Sequence, residues 1–154
     1  MYDERRELVA TYRATTVTLD ALVRELDDAQ AAQAKSAADW SVSEIVCHLL
    51  DSEQRTYERV IRIRGEDRPT LPLFPDDTYR GRSLARALAW FISLRLEHAR
   101  LLEELDALAW SRTGIHDREG ELSILDVTRH TVAHDAEHLA QIAGSFGQNG
   151  TAIR

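Results

Sequence analysis

Residues 123–147 read SILDVTRHTVAHDAEHLAQIAGSFG, and within them Ile124, Thr128, Val132, Leu139, Ile142 and Phe146 recur at spacings that bring them to one face of an α-helix. Ser123 followed by Asp126 has the form of a reciprocal N-terminal cap, and Gly147 supplies a stop. At about 100° per residue, His134 and His138 lie roughly 40° apart and one turn removed, so their imidazoles can converge on one atom. On the same wheel His138 flanks the apolar face, His134 lies a little further out, and His130 lies further still toward solvent. The spacing alone leaves two readings open, a pair of metal ligands and a pair of ordinary surface histidines.

Upstream, Leu84, Leu88, Phe91, Leu94, His98, Leu101, Leu102 and Leu105 define a helix from about Ser83 to Leu108, and a loop, Ala109 to Leu122, joins it to the last helix. Gly65 to Arg82 holds all three prolines, Pro69, Pro72 and Pro75, which predicts a long crossover loop. Ser41-Val42-Ser43-Glu44 has the capping-box form, and Ile45, Leu49, Val60 and Ile63 follow it through a helix of about Val42 to Arg64. Leu8, Tyr12, Thr15, Leu19, Leu22 and Leu26 place the first helix over about Asp3 to Gln30. No alternating strand pattern interrupts these segments. The expected fold is all-α: one domain over residues 1–154, a four-helix bundle with a long crossover loop between helices two and three.

A chain of 154 residues can bury roughly 70% of its unfolded surface, so it needs no covalent staples. Its single cysteine, Cys47, has no partner for an internal disulfide, which fits a reducing compartment. Net charge is −7, and the arginines are spread between acidic residues along the helices, so the basic patch that nucleic acid needs is missing. The start, MYDERRELVA, is charged where a signal peptide is apolar, and no apolar run reaches membrane-spanning length. A cytoplasmic protein with no membrane or nucleic-acid partner is therefore expected.

A catalytic metal site takes three protein ligands and keeps a fourth position open. His48 supplies the third ligand if helices two and four are neighbours. On its own wheel it falls roughly 60° outside Ile45, beside Asp51 and Arg55, a place that suits a groove mouth and suits plain exposure equally well.

Two motifs resemble the DinB/YfiT-like proteins. Trp40-Ser41-Val42 before Ile45-Val46-Cys47-His48-Leu49 and Glu53 is similar to that family's first motif, and Ala133-His134-Asp135-Ala136-Glu137-His138-Leu139-Ala140-Gln141-Ile142 is similar to its terminal one. The resemblance covers nearly the whole chain. It implies an up-up-down-down-like four-helix bundle, usually a homodimer, with His48, His134 and His138 as ligands of one divalent metal ion such as Zn, Ni, Fe or Mn. It also implies action on a small molecule, either by hydrolysis or by transfer to a low-molecular-weight thiol of the bacillithiol or mycothiol type. The alternative from another class is a non-catalytic, dimeric metal-binding or stress-related protein.

Other polar residues are weighed by their places on the wheels. Asp135 projects onto the middle of an apolar face, so it requires a buried partner. Arg95 and His98 lie inside the apolar face of the preceding helix, and each is a candidate for that pairing or for binding an anionic substrate. Asp135, Arg95 and Glu53 are the candidate catalytic residues. Asp51 and Glu53 also read as ordinary solvated acids, His98 as a satisfied core histidine, and His116 as an exposed loop residue. Glu137 projects away from the apolar face as a solvated charge, Cys47 points about 100° from His48 into the packing, and Trp40 and Trp90 read as core or staple aromatics.

Overall fold

The computed structural model describes residues 3–75 and 77–147; the chain ends included in the single-domain expectation lie outside them. Four long helices, α1 (Glu4–Val23), α3 (Val42–Gly65), α4 (Leu84–Glu103) and α6 (Ile124–Gly147), form a bundle. Around it the order of neighbours is α1, α4, α3, α6, which sets the consecutive helices α1 and α3 across one diagonal and α4 and α6 across the other. Diagonal partners cannot be joined by tight turns, and both linking segments are accordingly long. Each contains a short helix, α2 (Asp28–Ala31) and α5 (Ala107–Trp110).

The short helices correct two boundaries. The first helix stops at Val23 rather than Gln30 because Asp27 starts a new one: its side chain accepts from Gln30 N, and Gln30 Oε1 accepts from Asp27 N. The helix of Leu84 stops at Glu103 rather than Leu108 because Asp106 caps Ala109 N at 2.8 Å. In both places the apolar periodicity stays in phase across the break, which hides it from a helical wheel. The two long caps behave as expected. Ser41 and Glu44 bond reciprocally at the head of α3, and Ser123 and Asp126 do so at the head of α6.

The segment read as a loop from Ala109 to Leu122 contains an antiparallel hairpin, β1 (Thr113–His116) and β2 (Gly120–Ser123). Gly120, at φ +76°, takes the left-handed conformation that the turn needs. The proline-rich crossover joins this hairpin as a third edge: Leu71 N–H donates to Ile115 O, and Ile115 N–H donates to Pro69 O, both at 2.8 Å. Gly114 permits the approach, since a Cβ there would stand 2.7 Å from Leu71 Cδ2.

The apolar core is in two parts. One, around Leu19, Ile45, Leu49, Phe91 and Ile142, fills the end of the bundle near the start of α3; the other, around Tyr12, Val60, Ile63, Leu102 and Ile124, fills the opposite end. Between them lies a buried polar layer built on Thr15, Glu53, Thr56, Arg95, His98 and Asp135. Among the described residues no helix is long and apolar enough to cross a membrane.

Candidate functional site

The histidines are placed by the two helices that pack against each other as α3 and α6. His48 faces His134 and His138 near the start of α3, whereas further along that helix Thr56 meets Thr131, so the two helices run in opposite directions. All three imidazoles are half-buried, and one ligand nitrogen from each lies within 4.8 Å of the others. His134 Nε2 stands 3.0 Å from His48 Nε2 and 3.1 Å from His138 Nε2. Of the two positions left open for His48, the structure takes the groove mouth.

This arrangement is awkward without a cation. A neutral imidazole presents one lone pair or one proton at Nε2, so His134 cannot form good hydrogen bonds to both neighbours through one atom. Three nitrogens bound tetrahedrally to an ion at about 2.0–2.1 Å stand about 3.3 Å apart, close to the spacing observed here. Burial first, and then the neighbouring His138 and His48, lower the His134 pKa from 6.5 to about 4, which keeps the ring neutral. His138 is also oriented from behind, its Nδ1–H donating to Gln141 Oε1 at 2.9 Å and leaving the Nε2 lone pair toward the cluster. These donors fit a divalent metal of borderline softness.

Beneath the histidines, the polar layer links the helices that carry them. Arg95 of α4 donates through Nε to Glu53 Oε2 of α3 at 2.8 Å and through Nη1 to Asp135 Oδ2 of α6 at 2.7 Å. Its guanidinium is held between the rings of Tyr12 and Phe91, at 4.3 and 4.8 Å from their centroids. Glu53 Oε1 accepts from His98 Nδ1 at 2.8 Å. Burial pushes the Glu53 carboxyl up, but Arg95 and His98 outweigh it and hold the pKa at about 2. Burial raises Asp135, and Arg95 offsets only part of that rise. Asp135, Arg95 and Glu53 are therefore buried partners of one another.

Several expectations change. Glu53 and Asp51 are buried rather than solvated, Asp51 accepting the Tyr79 N–H of the crossover loop at 3.3 Å. Trp40 and Trp90 are surface residues, each 45% exposed; Trp40 lies over the cluster instead of in the core, its ring centroid 4.9 Å from that of His48. His116 is buried in β1, where its Nδ1 accepts from the backbone N–H groups of Arg118 and Glu119. As expected, His130 is exposed beside Glu119, Glu137 is exposed, and Cys47 is packed with its Sγ 3.6 Å from Arg82 O. Burial raises the Cys47 thiol pKa.

A cavity of about 500 Å³ opens against His134, in the groove between α3 and α6, closed by the hairpin and the crossover loop. Sequence reading missed this feature, because its floor depends on strands too short to show a period.

Fold and site thus define a four-helix bundle with diagonal connections and a three-histidine cluster at the mouth of an interhelical groove. The DinB superfamily model matches residues 11–142, and the chain belongs to that superfamily. It is 23% identical, over 87% of its length and 80% of the other's, to an Oceanobacillus iheyensis protein whose name proposes a metal-dependent hydrolase. Its fold matches that of YfiT from Bacillus subtilis, described as having an unusual four-helix bundle topology, with a TM-score of 0.87, 19% identity and coverage of 97% of this chain and 91% of that one. The four-helix bundle protein TT2238 matches at a TM-score of 0.69 and 23% identity, over 91% of this chain and 98% of that one.

Proposed function

We propose that this protein is a divalent-metal-dependent hydrolase of a small molecule, with His48, His134 and His138 holding the ion. The observation that carries the reading is the convergence of three Nε2 atoms, at 3.0 and 3.1 Å about His134, beside a cavity large enough for a substrate. The name of the Oceanobacillus iheyensis relative supports the same reaction class, as does the description of YfiT as a proposed metal-dependent hydrolase. When bound, such an ion supplies Lewis-acid chemistry, polarising a carbonyl or phosphoryl oxygen and acidifying water.

The chain's own residues do the positioning. Gln141 fixes the His138 ring, Trp40 covers the outer side of His48 and His138, and the Arg95 layer holds α3 and α6 in register. The substrate-sized cavity beside His134 supports this reading over that of a non-catalytic metal binder. An open coordination position also accepts a low-molecular-weight thiol, so thiol transfer would use the same three histidines.

Cobalt substitution tests the proposal. One cobalt ion per chain should bind and give a visible spectrum that shifts on adding azide or a small thiol. A protein that binds no divalent ion, or a spectrum that neither ligand moves, overturns it.

A further inference from the structure

Hydrolysis calls for a group that takes a proton from the attacking water and returns one to the leaving atom. The buried carboxylates are not placed to do so, since Arg95 holds Glu53 and Asp135 at 2.8 and 2.7 Å. Among the described residues that line the cavity, the proton acceptors besides His134 are His116, Glu119 and His130. Both ring nitrogens of His116 are engaged, Nε2 with Arg59 Nη2 and Nδ1 with the backbone nitrogens of Arg118 and Glu119, each at 3.2 Å. His130 differs. Its side chain is 57% exposed, and it stands one turn before His134, about 6 Å of helix rise along α6.

Glu119 decides which nitrogen of His130 is available. Its Oε2 lies 3.2 Å from His130 Nδ1, and its own backbone is fixed in the hairpin turn against the buried His116 ring. The other carboxylate within a turn of His130, Asp126, is taken up at the head of α6: Ser123 Oγ donates to its Oδ2 at 2.6 Å, and Arg129 Nη1 donates to its Oδ1 at 3.2 Å. Arg55, Arg59 and Arg118 are the cations that share the cavity with His130. A carboxylate beside Nδ1 favours the tautomer with the proton there, which leaves the lone pair on Nε2.

We propose that His130, oriented by Glu119, is the general base and general acid of this site. The inference rests on the hydrolase reading. The water oxygen bonds to the carbonyl or phosphoryl centre of the substrate while a water proton passes to His130 Nε2. The bond to the leaving oxygen or nitrogen then breaks, and the proton goes from Nε2 to that atom. One water is consumed, and His130 returns to its starting state. Glu119 stays ionised throughout and stabilises the imidazolium that exists between the two transfers.

Two readouts on zinc-loaded protein test the pair. Long-range proton–nitrogen NMR, with the His130 signals assigned by their loss in His130→Gln, should place the proton on Nδ1 in the wild type and move it toward Nε2 in Glu119→Gln. The wild type should hydrolyse p-nitrophenyl acetate or p-nitrophenyl phosphate, one probe for each kind of centre. His130→Gln should lower kcat by about a hundred-fold with KM and zinc content unchanged, and Glu119→Gln should lower it less. Because His130 is exposed, its replacement leaves the packing intact. Zinc-loaded wild type that spares both esters would overturn the hydrolase reading and this role with it. Hydrolysis that ignores His130→Gln, that falls further in Glu119→Gln, or that accompanies a wild-type proton on Nε2 would overturn the role of the pair alone.

Discussion

Arg95 grips Asp135, the residue next to His134, with two contacts, Nη1 to Oδ2 at 2.7 Å and Nη2 to Oδ1 at 3.3 Å. The same guanidinium reaches Glu53 on α3, so one buried side chain joins the two helices whose histidines must meet. Breaking a buried ionic cluster from one side is expensive because the surviving charges stay in a medium that solvates them poorly. Arg95→Met should therefore cost about 3–5 kcal/mol in denaturant unfolding, and Asp135→Ala about 2 kcal/mol or more. Asp135→Ala should also weaken metal binding although Asp135 is no ligand. A neutral effect on stability would show that the layer is not formed as described.

The order along α6 gives a second prediction. His130 continues the helical row of His134 and His138 but is exposed and paired with Glu119, so His130→Ala should leave metal affinity within a few fold. Native mass spectrometry should show about one ion per chain in that variant and none in His134→Ala or His138→Ala. Equal losses in all three would mean that the cluster was assigned to the wrong pair.

Acid should act through His134 before it acts through Glu53. Unfolded, His134 takes up a proton near pH 6.5; folded, it resists until about pH 4, so its contribution to stability is complete above 6.5 and is lost as the pH falls toward 4. Glu53, lowered from 4.5 to about 2, contributes above 4.5 and adds a second loss below it. Metal-free protein should consequently take up protons on unfolding at pH 5, and His134→Gln should flatten the dependence between 6.5 and 4.5. Metal binding should weaken in the same acid range, since ligation needs neutral imidazoles.

Gly114 tests the hairpin. A methyl group there meets Leu71 Cδ2 at 2.7 Å and Ile63 Cγ1 at 3.0 Å. Gly114→Ala should cost about 1–3 kcal/mol by overpacking. Because the hairpin walls the groove while the histidines stand on α3 and α6, binding of a small molecule in the groove should suffer more than binding of zinc. The reverse order, read by calorimetry, would mean that the hairpin supports the histidines.

The four long helices were legible because each carries a period-3.6 apolar stripe, and both the Ser41–Glu44 and Ser123–Asp126 caps could be read from residue spacing. Asp135 could be recognised as buried for the same reason: a carboxylate in the middle of such a stripe has nowhere else to go. Other features depend on contacts that no local pattern encodes. Thr113–His116 is too short to display alternation, so the burial of His116 was invisible. Asp27 and Asp106 read as helix interior until their caps are seen. Glu53 reads as a surface acid because its partners, Arg95 and His98, come from another helix. Trp40 lies outside the helical period altogether.

The hydrogen bonds between Pro69–Leu71 and Ile115 make the two irregular insertions of the bundle answer to each other. The histidines ride on long helices whose register is locked by a charged layer, while only part of the cavity wall, including Leu73, Phe74, His116 and Leu122, comes from this separately tied pair of loops. Changes of residue in the pair can alter what enters the groove without disturbing the histidine cluster. Such a division lets the loop-borne part of the wall vary while the histidine cluster stays on its helices.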